Sequence, residues 1–136
     1  SATDDSETNR RVFHEAQEKG IWLNSVDDPD HCTFIVPSSF SQGDLIVAVS
    51  TSGASPSFAA KLRRIIEAAI PSNAEETIAA LKEARNILKN DIRFASLSSA
   101  QRGNLLKKIS SDDRLITALL KHKKNETIAD FLKGLL

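Results

Sequence analysis

The sequence has no methionine, no tyrosine, one tryptophan and one cysteine in 136 residues. A single cysteine, Cys32, excludes an internal disulfide and fits a reducing compartment, so a cytoplasmic location is expected. No apolar run reaches the roughly 18 residues that argue for a membrane span. The start, "SATDDSETNRR", is polar and acidic, unlike a secretory signal. With no methionine even at position 1, the abrupt opening at "SATDD" suggests a fragment of a longer protein. Glycine is scarce too. Gly20, Gly43, Gly53, Gly103 and Gly134 cannot be arranged into a dinucleotide or P-loop fingerprint. His14, His31 and His122 with Cys32 show no paired ligand spacing, which argues against a structural zinc site.

What is present is unevenly charged. Net charge is zero, yet residues 1–56 carry three Lys/Arg against nine Asp/Glu, and residues 57–136 carry fifteen against nine. The halves therefore differ by sign, −6 against +6. Such a split suits two surfaces that meet each other, for instance across a dimer, or ordinary solvated helix faces in the second half.

The local patterns give an order of elements. Asp5 to Lys19 reads as a helix, with Val12 and Ala16 four apart and Gly20 at its stop. "IWLNSV", Ile21–Val26, reads as a short strand closed by the turn-forming "DDPD". "CTFIVPSSF", Cys32–Phe40, reads as a second strand bent at Pro37. After the turn "SQGD", "LIVAVS" reads as a third strand, apolar enough to be buried on both faces. Ser55-Pro56 is a helix start and Pro71 its stop. Beyond Asn73 only helix stripes appear: Ile78/Leu81/Ala84/Ile87/Leu88, Leu115/Ile116/Leu119/Leu120 and Ile128/Phe131/Leu132/Leu135. "SLSSAQRGN" and "ISSDDR" between them carry capping residues.

Two stretches carry chemistry. In "NSVDDPDH", Asn24–His31, Asp27 directly follows a strand pattern, where a side chain at a sheet's carboxyl end faces a ligand crevice. It would suit a general base there, while turn hydrogen bonds around Pro29 explain the same three aspartates as well. His31 beside Asp30 invites a metal reading. In "STSGASP", Ser50–Pro56, hydroxyls and the free N–H groups of a helix start favour an anion, carboxylate or phosphate. Plain capping by Ser55 is the competing reading. Lys61, Arg63 and Arg64 add positive charge further along.

Taken together, "SATDDSETNRRVFHEA", "LNSVDDPDHCTFIVPSSF" and "GDLIVAVSTSGASPSFAAKLRRIIE" resemble the later part of the siroheme synthase and precorrin-2 dehydrogenase family. The resemblance covers residues 1 to about 70, through the Ala-Thr-Asp-Asp loop with Asn9, the Asn-x-Val-Asp-x-Pro turn and the Ser-Thr-x-Gly-x-Ser-Pro loop. It implies an α/β fold: the end of a Rossmann-like domain (1–29), strand-exchanging dimerisation strands (30–56) and an all-helical module (57–136). It also implies NAD-dependent oxidation of precorrin-2 to sirohydrochlorin by a homodimer, with ferrous iron as a further substrate in members that are also ferrochelatases. Neither nucleic acid nor membrane is expected as a partner. Asp27 falls on the family's catalytic aspartate. Asn24, Ser50, Thr51, Ser52, Gly53 and Ser55 fall on the substrate side, and Thr3 and Asp4 on the cofactor side. The main nucleotide site would lie before Ser1, so the chain alone is expected to be inactive. The rival expectation is a non-catalytic dimerising module that binds an acidic partner through its basic helices.

Overall fold

The computed structural model describes residues 1–26 and 28–136. Asp27, the expected catalytic residue, lies outside the described residues. Among the described residues the architecture is α/β, with one two-stranded sheet, six α-helices, two 3-10 turns and irregular connections.

The first helix, α1, spans Ser6–Glu18. Asp5 caps it: one carboxylate oxygen accepts the Glu7 N–H at 3.0 Å and the other the Thr8 hydroxyl at 2.6 Å. Thr8, then Glu7, hold the Asp5 carboxyl below its ordinary value. Gly20, at φ +63°, turns the chain out of the helix. A 3-10 turn at Pro29–His31 follows, then β1 (Ser38–Gln42) and β2 (Leu45–Val49) as a hairpin.

Three expectations are corrected here. Ile21–Val26 is not a strand. Leu23 O accepts from Thr33 N at 2.8 Å, but the Leu23 N–H goes to the Thr33 hydroxyl rather than to a main-chain carbonyl. The two segments are tied together without forming a ladder. The second strand starts only at Ser38, after Pro37, which has no N–H to give to a ladder. The third strand is not buried on both faces. Its residues alternate, and Ile46 is 75% exposed.

The helix α2 spans Pro56–Ala69, started by Ser55 accepting from Phe58 N at 3.3 Å. Then come α3 (Ala74–Asn90), a 3-10 turn (Ile92–Phe94), α4 (Ser99–Ser110), α5 (Asp113–Lys124) and α6 (Ile128–Lys133). The α4 helix lies where only capping residues were read. Ser98 and Gln101 form a reciprocal capping box at its start.

The chain divides into two compact units, Ser1–Ser41 with Ile46–Ile70, and Gln42–Leu45 with Pro71–Leu136. The second unit has a continuous core. Ala84 and Leu88 of α3, Phe94, Ile109 of α4, Leu119 of α5, and Ile128 and Leu132 of α6 are all sealed from solvent. The first unit buries little: Ala16, Leu23 and Ala59, with the polar Asn9 and Ser25.

Candidate functional site

The loop from Ser50 to Ser55 joins β2 to α2 and is folded by its own hydroxyls. Ser52 and Gly53 take φ of +54° and +84°, and Ala54 N donates to Thr51 O at 3.0 Å, as in a type I′ turn. Glycine relieves the strain at one of these two positions. The Ser50 hydroxyl oxygen accepts from Ser52 N at 3.1 Å, and that of Thr51 from Ser55 N at 3.0 Å. These N–H groups are thus spent inside the loop and not offered outward. The hydroxyl protons of Ser50 and Thr51 donate to nothing among the described residues.

Ser50, Thr51 and Gly53 line a pocket of about 200 Å³, together with Pro56 and Ala59 of α2. Its opposite wall is apolar, from Ile35, Val36 and Pro37. This wall was missed in the sequence because the same residues read as a strand. Ser52 and Ser55 do not line the pocket; they fix the turn and the helix start. Asn24 does not reach it either. Its amide Nδ2 donates to Phe34 O at 3.1 Å and so fastens the segment before Asp27 to the one after it. Of the nearby cations, Arg63 pairs with Glu67 at 2.5 Å, while Lys61 and Arg64 are exposed.

A second pocket, about 390 Å³, is lined by Thr3, Asp4, Ser6, Asn9, Val26 and Asp28. Buried Asn9 organises it: its Oδ1 accepts the Ser1 and Thr3 hydroxyls at 2.6 and 2.7 Å, and its Nδ2 donates to Thr3 O at 3.0 Å. An asparagine on the inner face of a helix, six residues after a threonine, was the signal available for it. Asp4 and Asp28 make this lining acidic, which suits hydroxyl donors such as a ribose and opposes a diphosphate.

His31 turns to Asp28 rather than to Asp30. Its Nδ1 stands 2.8 Å from Asp28 Oδ2, because a 3-10 turn brings i and i+3 together. Its ring packs edge-on to Phe13, with centroids 5.0 Å apart. Among the described residues no group of three His, Cys, Asp or Glu is placed to hold a metal ion, and no helix is long and apolar enough to cross a membrane.

Comparison with known proteins adds two family matches. A model for NAD(P)-binding segments matches residues 1–38, and that for the central region of sirohaem biosynthesis proteins matches residues 42–69. The siroheme synthase of Methylobacillus flagellatus is 46% identical over 96 residues, covering 71% of this chain and 20% of that protein. Siroheme synthase 2 of Pectobacterium atrosepticum is 37% identical over 119 residues, 88% of this chain and 25% of that one. The chain thus spans a fifth to a quarter of the length of these relatives. A solved structure, SirC, precorrin-2 dehydrogenase, superposes with a TM-score of 0.59 at 23% identity, over 96% of this chain and 60% of that chain. This likeness shows a shared fold.

Proposed function

The chain belongs to the siroheme synthase family, and from that premise we propose that the whole protein oxidises precorrin-2 to sirohydrochlorin with NAD⁺. The observation that carries the proposal is the hydroxyl loop. Its Ser50 and Thr51 oxygens already accept from main-chain N–H groups, and both hydroxyls keep a proton to donate, beside an apolar wall. A macrocycle with carboxylates on its rim meets both needs: apolar contact for the ring and O–H donors for a carboxylate.

Bound NAD⁺ supplies the hydride acceptor. Thr3 and Asp4 would hold its ribose hydroxyls: the Thr3 oxygen keeps a lone pair to accept with, and Asp4 is acceptor-only. Losing a hydride also requires losing a proton. We assign that proton to the Asp27 carboxylate, on the strength of its place in the family motif. Asn24 serves as a positioning residue, since its clamp on Phe34 O fixes the chain on either side of Asp27. The segments 1–29, 30–56 and 57–136 keep the roles of nucleotide-domain end, dimerisation strands and helical module. A homodimer is part of the proposal, supported by a two-stranded sheet whose outer edges have no ladder partner among the described residues. Ferrous iron would enter the same site as a substrate.

The test is NADH formation by the whole protein when given precorrin-2. Turnover with sirohydrochlorin as product is expected, and the same protein with ferrous iron reads out chelation above the spontaneous rate. No turnover by a folded, dimeric protein would overturn the proposal, and salt-sensitive binding of an acidic macromolecule would then favour the binding-module reading.

A further inference from the structure

The second unit contains a groove of about 540 Å³ between α3 and α4, and it shares no residue with the pockets described above. Its construction follows from helical spacing. On α3 the residues at i, i+3, i+4 and i+7 from Ile78 face it, and on α4 those at the same intervals from Gly103. The two stripes differ from the core positions Ala84, Leu88, Leu105 and Ile109, which join the helices beneath. Ile78, Leu81 and Leu106, all part-exposed, form an apolar floor. The rim is cationic, with Lys82, Arg85 and Lys107, and no carboxylate lines the groove. Lys82 is paired with Asp44 at 2.7 Å, but Arg85 and Lys107 make no ion pair among the described residues.

Gly103 is the second observation. It sits inside α4, where glycine weakens a helix, and a Cβ built on it would meet no atom within 4 Å. Nothing within the chain requires glycine there. The room it leaves opens onto the groove floor.

We infer that the α3–α4 groove binds a carboxylated tetrapyrrole, its ring on the floor and its carboxylates on Arg85 and Lys107. The choice of ligand rests on the proposed function; the charge and shape of the groove are independent of it. An apolar floor takes a flat ring, unpaired cations on the rim take rim carboxylates, and an acid-free lining excludes cationic ligands. The groove would hold substrate or product apart from the hydroxyl-loop pocket.

The experiment titrates the 136-residue chain with uroporphyrin III, an octacarboxylate, followed by porphyrin fluorescence. Saturable binding is expected, weakened roughly tenfold or more by Arg85→Glu and by Lys107→Glu, and relieved by salt. Arg114→Glu, a matching charge change outside the groove, should leave affinity within about twofold. Gly103→Leu keeps the cations, favours the helix and fills the groove, so it should block binding in a protein that folds at least as well. Absence of binding by the unaltered chain, or equal binding by the Arg85 and Gly103 variants, would overturn the inference. Binding lost in Thr51→Val but kept in the groove variants would overturn it too, while leaving the proposed function standing. Groove binding without turnover by the whole protein would keep the inference as a binding site and remove the dehydrogenase.

Discussion

The two units of the chain treat their apolar residues in opposite ways. In the second, four helices close over Phe94, Leu119 and their neighbours, and only Ile92 and Leu136 are exposed among its large apolar side chains. In the first, nine are exposed, including Trp22 at 79% and Ile46 at 75%. A helical unit that fills its own core needs no partner for stability. A unit that shows tryptophan, isoleucines and, among the described residues, strand edges without a ladder partner has surface that a partner could cover. The family matches fall mainly on that uncovered unit. In our account the chemistry gathers where the chain is incomplete by itself.

The largest effect should come from the uncovered unit. Asp27→Ala in the whole protein should lower dehydrogenation by roughly 10²–10⁴-fold, the usual worth of a positioned acid–base group, with folding unchanged. Asp28→Ala should lower the rate far less, since it removes a part-exposed pairing with His31, worth about 1 kcal/mol at most, and one of the two carboxylates that line the Thr3 and Asp4 pocket. Equal losses from the two substitutions, read as steady-state rates, would make Asp27 a turn residue.

Stability should follow the opposite order. Phe94→Ala removes a fully buried ring and should cost about 3–5 kcal/mol in urea unfolding. Trp22→Ala, by contrast, should shift the dilute chain by no more than about 0.5 kcal/mol. Between them stands Ser98→Ala, which breaks the capping box of α4 and should cost about 1 kcal/mol.

Acid should have a smaller effect, concentrated in the helical unit. Asp44, Asp91 and Asp112 are held below the ordinary value of 3.8, chiefly by hydrogen bonds from the Lys82 side chain, the Arg93 side chain and the Arg114 N–H. A carboxyl with a depressed value stabilises the fold fully above its ordinary value, and that contribution is lost as pH falls through the folded value. Thermal midpoints should therefore hold down to about pH 4 and decline below it. All three groups are exposed, so the decline should be slight, and Asp44→Asn should reduce it.

Much of the fold was legible because its boundaries are written in single residues. Asp5 and Gly20 bracket α1, and Ser55-Pro56 and Pro71 bracket α2. The α4 helix was not read because its apolar residues, Leu105, Leu106 and Ile109, crowd its second half and leave no stripe in the first. Ile21–Val26 has a strand's composition, but a strand also needs a ladder partner, and composition does not reveal whether one is there. At the site, the hydroxyl loop was visible as a run of residue types. Which groups it spends internally was not: the Ser52 and Ser55 N–H groups go to the Ser50 and Thr51 hydroxyl oxygens, leaving O–H donors there. His31 was read beside its sequence neighbour Asp30, whereas a 3-10 turn pairs it with Asp28.

Hydrogen exchange of the chain at two protein concentrations tests the central contrast most directly. Amides of α3 to α6 should be strongly protected and indifferent to concentration. Those of α1, the hairpin and α2 should exchange readily when dilute and gain protection when concentrated, as a second copy covers β2 and its neighbours. Equal protection of both units at both concentrations would contradict the account, because the first unit would then be complete without a partner.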